Sequence, residues 1–227
     1  MQATSIIPIF PLSIIQFPGV VTPLHIFEPR YRQMLKDIAL TDKTFGIIYL
    51  GEAGDEIPAI GNIGCTVEVI TQQEMEDGRS NILGAGKDRF SIQRIIEGEP
   101  YYQAEVEYFE DEITFDDLTE QTNRAKDLFL RIIAAGKKLR DSSRANLEDI
   151  PDLPDDSVTL SFIIAASLDV ALEEKQTWLE LTNTARRLSI LSNRLVDLAD
   201  KYELRAQVHK IAKTNGQCLA AASHYDI

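Results

Sequence analysis

Apolar residues in the first half of the chain recur in short runs separated by clusters of Gly, Pro, Asn and Asp. Residues 104–108 alternate apolar and polar with period two, as half-buried antiparallel strands do. The runs that predict strands are 6–12, 45–50, 65–71, 80–83, 90–96 and 102–109. One helix interrupts them, because Pro29 fits a first helical position and an apolar stripe from Tyr31 to Ile38 follows it. This half predicts a β sandwich or a small closed barrel.

From residue 118 onward the apolar period becomes helical. Residues 119–141 predict one helix, 172–181 a short one and 184–213 a long one, after which the tail is expected to fray. Residues 142–154 are polar and contain two prolines, so they predict an exposed loop. The helix after this loop is expected to begin near Asp155, Asp156 or Ser157. The fold class is therefore α+β, with a β-rich subdomain over 1–117 and an α-helical bundle subdomain over 118–227.

The charge balance argues against a nucleic-acid partner. The 227 residues carry 23 basic and 36 acidic side chains, a formal net charge of −13. Residues 95–123 and 145–174 contain acids and no Lys or Arg, so their surface would repel phosphate. The chain also lacks a signal peptide and a long apolar stretch, which favours a cytoplasmic protein that does not enter a membrane.

Residues with catalytic or metal-binding spacing are scarce. The chain has no G-x-S-x-G, H-E-x-x-H or G-x-G-x-x-G pattern. Residues 83–88 (LGAGKD) do not form a P-loop, because Asn81 and Asp88 occupy positions that require Gly and Ser or Thr. Their glycines are instead expected in a tight strand connection. The two cysteines, Cys65 and Cys218, form no metal-binding pair and are expected to be reduced and structural. We therefore expect no enzymatic activity, no metal and no cofactor.

Several segments of the chain together carry a specific pattern. The first is long: residues 9–12 (IFPL), 17–19 (FPG) and 23–34 (PLHIFEPRYRQM). Further segments are 61–70, 86–92 and 172–180. Together they resemble the N-terminal substrate-binding domain of Lon proteases. The resemblance is closest to stand-alone Lon-domain proteins, which have no ATPase or protease part. It implies a PUA-like β pseudobarrel followed by an α-helical bundle, and catalytic properties of full-length Lon are not carried over.

The resemblance also implies a function. The expected one is a non-enzymatic, ATP-independent protein- or peptide-binding module that holds unfolded or client polypeptides, working alone or with a separate protease or chaperone. The alternative is an RNA-binding protein, because PUA-like barrels of other families bind RNA. A basic cluster on one barrel face would favour RNA, and its candidate members are Arg30, Arg32, Arg79, Lys87 and Arg89.

Four residues are the candidate peptide-binding site: Phe17, His25, Arg30 and Arg89. Phe17 lies in a Pro-Gly turn, where burial is expected to be incomplete, and an exposed aromatic can anchor a peptide. Arg89, in an expected turn over 84–89, offers a fork of donors for a carboxylate or a carbonyl. Each also has a structural alternative. Phe17 would plug the end of the barrel, His25 would hydrogen-bond at the edge of the core, Arg30 would pair with Glu28, and Arg89 would pair with the acids after Arg94.

Overall fold

The structure, a computed structural model, describes residues 4–51, 57–96, 100–139 and 153–222. Its strands are β1 (Thr4–Leu12), β2 (Val21–Ile26), β3 (Thr44–Tyr49), β4 (Ile63–Glu74), β5 (Ser80–Ile96) and β6 (Tyr102–Phe109). Its helices are α1 (Pro29–Ile38), α2 (Thr119–Leu139), α3 (Ser157–Ser167), α4 (Leu172–Glu180) and α5 (Thr184–Ala222). This order confirms the α+β class and the change from strands to helices near residue 118.

The six strands form one sheet in the order β2-β5-β4-β3-β1-β6, and β5 also pairs with β6. The pairings of β5, β4, β3, β1 and β6 therefore close a ring of five strands, and β2 is added outside it. The pairing of β1 with β3 is parallel, and the other pairings are antiparallel.

Two expectations about the strands are wrong. Residues 80–96 form one strand of 17 residues, so 84–89 lie within β5 and form no turn. The long strand is possible because its first half pairs with β2 and its second half with β6. A side chain at Gly86 would overlap the Phe17 carbonyl, which shows that this glycine permits close backbone approach rather than a tight connection. The second error is β2, a strand that the sequence pattern did not predict.

One core cluster lies between α1 and the strands. The apolar stripe of α1 is buried there as predicted, together with Phe10, Ile26 and Ile82. A second cluster, which includes Ile9, Phe90 and Val106, packs on strands β1, β3, β5 and β6. Phe27 lies outside both clusters and is 59% exposed, because it continues the series of outward-facing odd positions of β2.

The helices begin where the sequence predicts. Asp156 accepts a hydrogen bond from the Thr159 N–H at 2.8 Å, which caps the start of α3. The expected fraying after Lys213 is wrong, since α5 continues to Ala222. Residues 142–152 of the expected loop over 142–154 lie outside the described residues.

The chain divides into two compact units. One contains residues 1–114 and 161–184, and the other contains 115–160 and 185–227. Packing therefore places α4 and most of α3 with the strands, although they follow α2 in sequence. The predicted subdomains over 1–117 and 118–227 stay a prediction.

Candidate functional site

Arg89 lies on β5 with a side chain that is only 3% exposed. Its Nη1 donates to the carbonyls of Leu179 and Leu181, at 2.9 and 2.8 Å. These carbonyls lie at the C-terminal end of α4, where helical hydrogen-bond partners run out. Arg89 thus satisfies the end of a helix.

A buried carboxylate completes this arrangement. The Nη2 of Arg89 donates to Asp111, whose side chain is 6% exposed, and Thr184 at the start of α5 donates to the same carboxylate. The guanidinium also stacks over Phe109 at 4.6 Å and Phe162 at 5.2 Å, measured to the ring centroids. We call Arg89, Asp111 and Thr184 the Arg89 network. It holds charged and polar groups in mutual contact, away from solvent.

Phe17 borders the same network. Its side chain is 0% exposed, so the expected incomplete burial is wrong, and its ring centroid lies 6.0 Å from that of Phe162. The Gly86 backbone packs directly against the Phe17 carbonyl. The structure therefore brings Phe17 and Arg89 together around Phe162, in a setting that favours their structural alternatives.

Arg30 lies at the start of α1, in a different place. Its Nε donates to Glu28 at 2.9 Å, and its guanidinium stacks over Tyr31 at 4.6 Å from the ring centroid. This is the ion pair that the structural alternative predicts. Arg30 borders a depression of about 330 Å³ that also includes Ser13 and Tyr102. The lining mixes apolar residues such as Leu12 and Leu50 with polar ones, and the charge of Arg30 is already balanced by Glu28.

His25 is exposed on β2. Its Nδ1 lies 2.7 Å from Oδ1 of Asn81, the residue opposite it on β5. Because an amide oxygen only accepts, Nδ1 donates this hydrogen bond. Phe27 stacks on the imidazole, with ring centroids 6.0 Å apart and an interplanar angle of 24°. His25 is thus oriented by two neighbours while its outer nitrogen faces solvent.

His25 belongs to a surface formed by three neighbouring strands. Pro23 of β2, Leu83 of β5 and Thr71 of β4 are paired across the strands, and His25, Asn81 and Gln73 form the adjacent row. Paired residues project from the same side of a sheet, and all six are exposed. We call this surface the neutral face, defined by Pro23, His25, Thr71, Gln73, Asn81 and Leu83.

The neutral face contains a depression of about 430 Å³. None of the nine residues that line it is Asp, Glu, Lys or Arg. This composition is unusual in a chain of net charge −13 in which 26% of residues are charged. The lining combines apolar side chains with hydroxyl, amide and imidazole groups, so it can bury apolar groups and hydrogen-bond to a backbone at the same time.

Two further apolar residues extend the neutral face along β2. Val21 is 52% exposed, and Phe27 is 59% exposed beside His25. The expected exposed aromatic is therefore Phe27, not Phe17. The burial of β2 alternates with period two, with odd positions outward. The sequence does not show this alternation, because the outward residues Val21 and Phe27 are apolar and proline, here Pro23, is rare within strands.

Two more of the candidate cations, Lys87 and Arg79, have carboxylate partners. Lys87 lies 2.8 Å from Glu68, and their hydrogen bond lowers the pKa of Glu68 and raises the pKa of Lys87 from the ordinary values. Arg79 pairs with Asp77 at 2.7 Å, and a hydrogen bond from the Arg79 backbone N–H lowers the pKa of Asp77. With Arg89 buried and Arg30 paired, four of the five cations that would favour RNA are neutralised locally.

Other possible sites add little. Cys65 is buried, and desolvation raises the pKa of its thiol, so it stays protonated and unreactive. Within the described ranges, no three His, Cys, Asp or Glu residues are placed to hold a metal ion. In the same ranges, no helix has the length and hydropathy needed to cross a bilayer.

Known proteins share this architecture. The Lon N-terminal domain protein of Xanthomonas campestris superposes with a TM-score of 0.62 at 22% identity, covering 82% of this chain and 96% of that one. The N-terminal domain of the Mycobacterium avium complex Lon protease also gives 0.62, at 17% identity, covering 86% of this chain and 98% of that one. At these identities, the likeness concerns the fold.

Sequence relatives point the same way. The Lon protease of Cytophaga hutchinsonii is 24% identical over 90% of this chain and 26% of its own length. That of Anaeromyxobacter dehalogenans is 26% identical over 82% of this chain and 22% of its own. The chain thus spans about a quarter of the length of these curated relatives. The family model of the substrate-binding domain of the ATP-dependent protease La (LON) matches residues 6–197, and the chain belongs to this family.

Proposed function

We propose that this protein recognises polypeptide substrates and that the neutral face binds them. The observation that carries the proposal is an exposed, uncharged surface with apolar side chains and fixed hydrogen-bonding groups, in a member of a substrate-binding domain family. Its clients are unfolded or extended polypeptide segments with apolar side chains, since a folded protein buries most such side chains. Binding requires no nucleotide and no chemical step, and a separate protease or chaperone would act on the client.

Burial of apolar surface supplies the free energy of binding. Leu83 is 43% exposed, so an apolar client side chain can cover it and displace water from the depression. The absence of charge in the lining matters because an unpaired charge beneath a client would be costly to desolvate. A charge introduced here should therefore oppose binding.

The test is a pair of matched substitutions, Leu83→Asp and Leu40→Asp. Leu40 is 88% exposed and does not line the depression, so it controls for added negative charge on an exposed leucine. The probe is a fluorescently labelled globular protein, kept unfolded by reduction and alkylation with iodoacetamide, and binding is followed by anisotropy without ATP. We expect Leu83→Asp to weaken binding roughly tenfold or more and Leu40→Asp to leave it nearly unchanged. Equal affinities for both variants and the wild type would contradict the assignment of this face.

The alternative function is RNA binding through a PUA-like β pseudobarrel. The closed ring of pairings supports the pseudobarrel part of this reading. The charges do not support the RNA part, because affinity for phosphates comes from unpaired cations and four of the five candidate cations have carboxylate partners. We therefore propose polypeptide binding and expect no salt-sensitive RNA binding in a mobility-shift assay.

A further inference from the structure

The strand β2 has one edge that no described strand covers. Within the described residues, it pairs with β5 alone, over Val21–Ile26. Its neighbour β5 is paired on both sides, with β4 on one side and with β2 and then β6 on the other. The edge of β2 thus borders the neutral face.

The hydrogen-bond phase of β2 shows which backbone groups point to this edge. Gly86 donates its N–H to the Val20 carbonyl at 2.9 Å, which gives residues 20 and 86 the phase of a hydrogen-bonded pair, although the Val20 N–H donates to the Phe17 carbonyl instead. Such pairs alternate along an antiparallel ladder, so Thr22, Leu24 and Ile26 also bond to β5. The backbone groups of Val21, Pro23 and His25 therefore point away from β5.

Pro23 agrees with this phase. Its nitrogen carries no hydrogen, and it lies at a position whose N–H would have no partner in the sheet. The edge consequently offers N–H donors at Val21 and His25 and carbonyl acceptors at Val21, Pro23 and His25. A proline in the middle of an edge also opposes continuous pairing with other sheets, which limits aggregation and favours short occupants.

An extended backbone is the ligand whose chemistry matches these groups. Donors and acceptors that alternate at strand spacing are satisfied together by another strand. In a client that adds as a strand, every second residue exchanges hydrogen bonds with the outward-pointing backbone groups of β2, such as those of Val21 and His25. The side chains of these client residues lie on the same side of the sheet as the neutral face, and the side chains of the residues between them lie on the opposite side. Val21, Leu83 and Phe27 are exposed on the neutral side, so client side chains there should be apolar.

We propose that the client binds as an added strand on the free edge of β2, with every second side chain apolar and packed over the neutral face. This inference rests on the proposed function and specifies its substrate class, a short extended segment with alternating apolar residues. Clients that remain helical, or that are charged at every second position, should bind weakly.

Backbone amide exchange gives the first readout. The probe is a capped heptapeptide that alternates valine and threonine, added to the wild-type protein and followed by NMR hydrogen exchange. We expect slower exchange at the amides of Val21 and His25 on binding. Thr22 and Leu24, which already donate to β5, serve as internal controls and should change little. Bound peptide with unchanged exchange at Val21 and His25 would overturn added-strand binding while leaving the proposed function intact.

Two N-methylated peptides give the second readout without altering the protein. N-methylation of the valines removes the donors that would face β2, whereas N-methylation of the threonines alters the opposite edge. We expect the first peptide to lose roughly tenfold or more in affinity, since it loses several hydrogen bonds, and the second to bind nearly as well as the parent. Equal losses of affinity for the two methylated peptides would overturn the proposal. It would also be overturned if the unmethylated heptapeptide did not bind although the protein still captured the unfolded probe. Failure to bind both probes would overturn the proposed function as well.

Discussion

Arg89 and His25 lie on neighbouring strands of one sheet, yet their polar groups are used differently. Arg89 is buried and directs its donors to two carbonyls and a carboxylate of the same unit. His25 is exposed, uses one ring nitrogen on Asn81 and leaves the other toward solvent. The difference follows from the surroundings of β5. Its second half pairs with β6 and belongs to the same unit as residues 161–184, whereas its first half pairs with β2, an edge strand of the sheet. The donors of Arg89 therefore stabilise one end of the strand, and the polar groups at the other end lie at the surface, where we propose that a client binds.

The largest expected effect comes from the Arg89 network. Arg89→Met leaves the Asp111 carboxylate buried without its partner, so we expect a loss of about 4 kcal/mol in the free energy of unfolding. For a chain of this size, the melting temperature should fall by about 10 °C. The control is Arg94→Met, whose side chain is 64% exposed in its pair with Glu105 and should matter far less. An unchanged melting temperature with lost client binding would instead make Arg89 a site residue.

The next effect compares two phenylalanines. Phe17→Ala empties a fully buried position and should cost about 3 kcal/mol, with client binding preserved below the melting transition. Phe27→Ala removes an exposed ring and should change stability by less than about 0.5 kcal/mol while weakening client binding. Thermal unfolding and anisotropy measure both properties. The opposite assignment, with binding dependent on Phe17 alone, would refute the comparison.

A smaller effect concerns the inner side of the same strands. Tyr101 packs with Ile26 and Ile82 and donates to Asp37 at 2.9 Å, and burial, followed by Asp37, raises the pKa of Tyr101 to about 12. The folded state holds this proton more tightly than the unfolded chain, whose tyrosine pKa is near 10. Stability from this group is thus present below pH 10 and lost as the pH rises toward 12. Tyr101→Phe should flatten that decline in alkaline denaturation, and an unchanged slope would contradict it.

The smallest effect is expected at the exposed ion pair of Lys87 and Glu68. Both side chains are about half exposed, at 50% and 48%, so their attraction is screened by solvent. Lys87→Gln should leave the melting temperature and client binding essentially unchanged, at low and high salt. A clear loss of binding in this variant would extend the functional surface beyond the neutral face.

The sequence predicts much of the fold because its signals are local. The stripe of α1 and the Asp156 cap depend on residues within a few positions of each other, and both are confirmed. β2 was missed because Pro23 argues against a strand unless its nitrogen points to a free edge, which depends on the pairing with β5. The structural roles of Phe17 and Arg89 stood only as alternatives beside a peptide-binding role, because their burial depends on Phe162 and the end of α4, which are distant in sequence. Of the four candidate residues, only His25 lies on the neutral face.

Photo-crosslinking of a bound client tests the central claim most directly. An unfolded probe carrying benzoylphenylalanine would be irradiated with the wild-type protein, and the crosslinked residues would be mapped by mass spectrometry. We predict crosslinks to residues 21–27, 71–73 and 81–83, with the same reaction on Leu83→Asp giving few of them. Crosslinks concentrated on α2 or α5, or around Arg30, and unaffected by Leu83→Asp, would contradict polypeptide binding at the neutral face.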